Sequence, residues 1–114
     1  MGTGGIVAGG LARGEVRLYR FPQPDKQRPV VVLTRDGALD YLSRVTVAPI
    51  TSSVRAVPSE VMLTTADGMK STCAINLYNV VTVPKEHLGR RVAVLGPARL
   101  HEICTALNFA LGCR

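Results

Sequence analysis

Hydrophobic and polar positions alternate in short runs from Gly14 to about Val83. Between Glu15 and Tyr19 the apolar Val16 and Leu18 alternate with charged or polar neighbours, the two-residue period of a strand with one wet face. Pro29 to Thr34 reads as one continuous apolar run, as a strand buried on both faces requires. Asp36 to Leu42 predicts one or two helical turns with Asp36 as the cap. Val45 to Ile50 is the next strand, and Pro49 inside it points to a bulge or a sheet edge. After a turn around Pro58, Glu60 to Thr65 alternates again, and Ala66-Asp67-Gly68 is turn chemistry. Cys73 to Val83 is long and β-branched, enough for one strand or two.

The period then changes. Pro97 suits the first turn of a helix. Leu100, Ile103, Cys104, Leu107 and Leu111 recur at three- and four-residue spacing, and Gly112 is a natural stop. Many short strands followed by one amphipathic C-terminal helix predict a mainly β fold, a compact barrel with the helix packed on it.

Composition narrows this picture. The chain has 114 residues, 46% of them hydrophobic, so it should form one globular domain around a modest core. With no Trp and few aromatics, Val, Leu, Ile and Ala must fill that core. The longest apolar runs are too short to cross a bilayer, so no membrane role is expected. Residues 1–12 are rich in Gly and Ala and lack the basic start and apolar stretch of a signal peptide. They are expected to be a flexible tail, with the domain at 13–114. Cys73, Cys104 and Cys113 are odd in number and contain no C-x-x-C pair. This favours a reducing, cytoplasmic setting, with Cys73 and Cys104 buried as small hydrophobes. His87 and His101 form no cluster at zinc spacing, so no metal is expected.

Charge points to a partner. Lys and Arg total 14 against 8 Asp and Glu, a formal charge of +6, and eleven of the fourteen basic residues are Arg. Guanidinium forks match phosphate oxygens in paired hydrogen bonds. A basic domain of this size therefore suits a polyanion, although the same charge also describes a merely solvated surface.

Three segments carry a resemblance. They are Arg13-Gly14-Glu15-Val16, Arg28-Pro29-Val30-Val31-Val32-Leu33 and Val47-Ala48-Pro49-Ile50-Thr51-Ser52. In order and spacing they resemble the MazF/PemK family of bacterial toxin endoribonucleases. Pro58-Ser59-Glu60-Val61 is similar to that family's stretch after the Thr-Ser turn. Thr82-Val83-Pro84-Lys85 with Leu88 is similar to its turn into the last strand. Pro97-Ala98-Arg99-Leu100-His101-Glu102, running to Leu111-Gly112, is similar to its terminal helix. The resemblance covers nearly everything from Arg13 to Gly112. It implies a small SH3-like (PemK/MazF-type) β-barrel that dimerises with a second copy and cleaves single-stranded RNA at short sequences. It also implies no metal or other cofactor, and inhibition by a cognate acidic antitoxin.

The resemblance assigns catalysis to Arg28 and Thr51. Cleavage of this kind uses the RNA's own 2′-OH as nucleophile, so charge gathers on the scissile phosphate. A preorganised guanidinium can stabilise that charge, and a hydroxyl can hold a phosphate oxygen or relay a proton. Lys26, Arg35 and Arg55 lie near these motifs in sequence and are candidate groove residues, while Ser52 and Asn79 are candidates to read base edges. Asn76 and Tyr78 mark a departure, since many relatives carry Asp at the position of Tyr78 and some carry Arg at that of Asn76, in acid–base roles. Tyr78 could instead stack a nucleobase or sit in a core or interface. Two other readings follow: a catalytically weak RNA- or antitoxin-binding member of the fold, and a barrel toxin acting on DNA gyrase.

Overall fold

The computed structural model describes residues 10–22 and 27–113. In chain order it contains β1 (Glu15–Arg20), β2 (Gln27–Val32), α1 (Asp36–Leu39), β3 (Arg44–Thr51), β4 (Glu60–Leu63), β5 (Cys73–Asn76), β6 (Val81–Pro84), β7 (Arg91–Val94) and α2 (Pro97–Leu111). The strands form one antiparallel seven-stranded sheet in the order β4-β5-β3-β2-β1-β7, with β6 also paired to β3. The sheet curls into a half-barrel. The turn after β4 reaches across to β7, where a Cβ on Gly68 would lie 3.1 Å from that of Ala93.

Strand β2 shows why the apolar run reads as it does. Val30, Val31 and Val32 are all fully buried, but successive side chains point to opposite faces. Val31 joins the larger core with Val16, Ala48, Ile75 and Ile103. Val30 and Val32 join a smaller core with Leu39, Val45, Val47 and Val83 on the other face.

Strand β3 carries two partners along one edge. Residues Arg44 to Val47 pair with β6, and Ile50 and Thr51 pair with β5. Between these ladders a 3-10 turn, Leu77–Asn79, takes up the extra chain. Cys73 to Val83 is thus two strands. The side-chain oxygen of Asn76 accepts from Tyr78 N–H at 3.0 Å and sets that turn. Pro49 is neither at an edge nor in a bulge of its own strand. It falls in the gap between the two ladders, where its missing N–H interrupts no pairing on that side.

Other expectations change in detail. Arg35, not Asp36, is the N-cap of α1. Asp36 is the first helical residue, and its carboxylate accepts from Arg13 N–H at 2.7 Å instead. Helix α2 spans Pro97 to Leu111 and ends on Gly112 in the left-handed conformation, as the pattern predicts. Its buried stripe, however, is Ile103 and Ala106, flanked by Leu100, Leu107 and Ala110. Leu111 and Cys104 are exposed: Leu111 lies at the helix end, and Cys104, one residue or about 100° round from Ile103, points away from the sheet. Cys104 is therefore not the buried hydrophobe expected of it, whereas Cys73 is. Residues 1–9 of the expected tail lie outside the described residues. The tail's end is not free, since Leu11 packs against the smaller core. Among the described residues, no helix is long and apolar enough to cross a membrane.

Candidate active-site cleft

Strand register brings the two principal candidates together. Strands β2 and β3 pair with Val30 opposite Pro49. The pairing ends there, and the chain beyond it, with Arg28 on β2 and Thr51 on β3, opens onto a shared concavity. Both line one cleft of about 600 Å³, with Pro29, Ile50 and Ser52 beside them. Arg28 is half-buried on the first turn of a strand whose next residues are rigid core.

Thr51 is half-buried at the end of β3. Its Oγ1 accepts from Ser53 N–H at 3.0 Å. One lone pair of the hydroxyl is used this way, and its rotatable O–H remains a donor for a ligand oxygen. Ser52 is exposed on the rim.

The remaining wall comes from residues that sequence proximity did not suggest. Lys70 and Ser71 follow the turn after β4, Arg90 immediately precedes β7, and Val92 lies in it. Only their position after turn residues hinted at them. Among the described lining residues there are three cations, several hydroxyls and a thiol, but no carboxylate or imidazole. The thiol is Cys73, which burial, aided by the negative charge of Asp67, pushes above its usual pKa. It is therefore a neutral wall group near pH 7 and not an activated nucleophile. Such a set can bind and stabilise negative charge.

The other candidates are placed elsewhere. Arg55, Asn76 and Tyr78 line a second groove of about 320 Å³, together with Glu60 and Phe109. Asn79 is exposed on the neighbouring 3-10 turn and lines neither concavity. Arg35 is exposed beyond the far end of β2 from Arg28, about 20 Å away at strand rise, so it does not share the cleft. Lys26 lies outside the described residues. His87 and His101 are exposed and line neither site.

Comparison with known proteins bears on family and fold. A family model described as the PemK-like, MazF-like toxin of type II toxin–antitoxin systems matches residues 12–111. The chain is 39% identical over 104 residues to the probable endoribonuclease MazF2 of Mycobacterium tuberculosis, covering 90% of this chain and all of that one. It superposes on the M. tuberculosis toxin MazF-mt6 with a TM-score of 0.80 and 30% identity, covering 88% of this chain and 98% of the other. A mycobacterial endoribonuclease solved in complex with its cognate antitoxin shares the fold, with a TM-score of 0.81 at 24% identity over 91% of this chain and 97% of its own. The chain belongs to the PemK/MazF family of type II toxin–antitoxin toxins.

Proposed function

We propose that this protein is a sequence-specific endoribonuclease that cuts single-stranded RNA and acts as the toxin of a toxin–antitoxin pair, arresting translation and growth. The observation that carries the reading is the convergence of Arg28 and Thr51 on one cleft lined by cations and hydroxyls. Both nucleophile and leaving group belong to the RNA. The 2′-oxygen forms a bond to the adjacent phosphorus, and the bond to the 5′-oxygen breaks. The products are a 2′,3′-cyclic phosphate and a 5′-hydroxyl. Arg28 stabilises the negative charge that builds on the phosphate, and Thr51 donates to one of its oxygens. The cations are the protein's own, so the reading is metal-independent and needs no cofactor.

Residues 13–114 form the toxin domain in this reading. The partners are RNA, a second copy of the chain, and an acidic antitoxin that suits the net charge of +6, all in the cytoplasm. The test is cleavage of a long RNA in excess chelator, with Arg28→Ala in parallel and product ends mapped. Cuts at a recurring short sequence with 5′-hydroxyl ends, lost in the variant, are the expected result. Intact RNA with the folded wild-type protein would overturn it.

A further inference from the structure

We propose that Lys70 and Arg90 are substrate-binding residues that grip the backbone phosphates flanking the scissile one, so that the RNA strand is held in register on Arg28 and Thr51. The inference rests on the nuclease reading above and extends it to the opposite wall of the cleft. These two side chains come from separate segments, the chain after β4 and the residue just before β7, yet both line the cleft that holds Arg28.

The backbone around Arg90 is tied down. Its carbonyl accepts from Leu18 N–H at 3.1 Å, and the preceding Gly89 N–H donates to Leu18 O at 2.7 Å. Gly89 permits this approach, since a Cβ there would already stand 3.1 Å from Leu18 O. Arg17 Nη1 donates to Gly89 O at 3.0 Å. A side chain hung from a fixed backbone loses less entropy on binding.

Charge is sorted across the same strand. Arg90 and Val92 face the cleft, while Arg91 between them reaches the buried Glu15 at 3.6 Å. Arg17 meets the same carboxylate at 2.8 Å. Glu15 is thus engaged by two arginines, and Arg90 adds its charge to a wall without a carboxylate among the described lining residues. Lys70 is exposed but follows Met69, which is buried in the larger core. Its turn is pinned further by Gly68 against Ala93. Phosphate contacts of this kind position a strand without reading its sequence.

The test measures binding as well as cleavage. A labelled random-sequence 12-mer RNA is titrated by fluorescence anisotropy at several salt concentrations, using Arg28→Ala as the background so that the probe survives. Adding Lys70→Ala or Arg90→Ala should weaken binding several-fold. Each should also flatten the slope of log K against log salt by about 0.7, the value for one phosphate contact on a single strand. Arg90→Lys and Lys70→Arg should restore most of the affinity. Arg44→Ala, at the other end of β3 from Thr51, controls for net charge and should leave the slope unchanged. With Arg28 intact, the same changes should raise KM several-fold and leave kcat within about twofold. Unchanged slope and KM, or an equal loss in Arg44→Ala, would overturn the proposal while cleavage itself stands. Tight, slope-sensitive binding without cleavage by wild type would overturn the nuclease reading and, with it, the scissile register, leaving Lys70 and Arg90 as backbone-phosphate contacts only. Absence of both binding and cleavage overturns both.

Discussion

The cleft of Arg28 and the groove of Tyr78 are both built at strand ends, yet they suit different chemistry. The cleft is lined by three cations with no carboxylate among its described residues. The groove sets Arg55 beside Glu60 and two exposed aromatics, Tyr78 and Phe109. Glu60 is committed there, accepting from Arg55 N–H at 2.9 Å and Ala56 N–H at 3.1 Å. Those bonds hold Ala56 in the left-handed region at φ 57°, a conformation that costs a non-glycine residue about 1 kcal/mol or more. The first concavity therefore suits a phosphate and its developing charge. The second offers aromatic faces and a carboxylate, a poor phosphate site. Charge placement, not proximity in sequence, separates them.

The sharpest break of that comparison is Arg28→Ala. Losing a preorganised charge donor should lower kcat by about 10²- to 10³-fold, read by single-turnover RNA cleavage, whereas Arg55→Ala in the groove should not approach that. Thr51→Val comes next, keeping shape and deleting the hydroxyl. Loss of a hydrogen bond to a charged oxygen is worth about 1.5–3 kcal/mol, so a drop of roughly ten- to a hundredfold is expected. An unchanged rate would remove Thr51 from the chemistry.

Asp67 tests the support of the cleft wall. Its carboxylate takes two bonds from Arg99, at 3.0 and 3.1 Å, and one from Thr64 N–H at 2.9 Å. Hydrogen bonding from Arg99 is the main cause holding its carboxyl below the usual range. Burial opposes the shift, and the Thr64 bond and the Arg99 charge add to it. A lowered folded pKa gives stability that is complete above the unfolded value near 4 and lost as pH falls through the folded one. Asp67→Asn should cost about 1 kcal/mol at pH 7, a modest figure because Arg99 is partly exposed. The deficit should shrink below pH 4 in urea melts. A pH-independent deficit would assign the effect to the turn alone.

Tyr78→Asp should have the smallest effect. Tyr78 stands 63% exposed and outside the Arg28 cleft, so a carboxylate there should change cleavage by less than about twofold, well under 1 kcal/mol. A clear rise would mean that assembly with a second copy brings groove and cleft together.

Much of the fold was legible because it depends on local period. The two-sided burial of Val30 to Val32 follows from an unbroken apolar run, and α2 from proline, heptad-like spacing and glycine. The buried face of α2 was legible through Leu100, Ile103 and Leu107, which pack on the larger core, but its edges were not. Cys104 and Ile103 both fit the apolar stripe, and only the rotation of the helix on the sheet chose Ile103 with Ala106. Likewise, β-branched residues from Cys73 to Val83 predicted strand, but the break at Leu77–Asn79 arises because β3 must accommodate two ladders.

The sequence by itself determined the mainly β architecture, the terminal helix, the basic charge and, through ordered motifs, the prominence of Arg28 and Thr51. The first three depend on neighbouring residues and on composition; the last is what the resemblance to the MazF/PemK family implies. Tertiary structure decided that Lys70 and Arg90 complete the cleft, and that Arg35, Arg55, Asn76 and Tyr78 stand apart from it. Antiparallel register and sheet curl bring residues far apart in the chain to one wall, and neither is encoded in the spacing of any single segment.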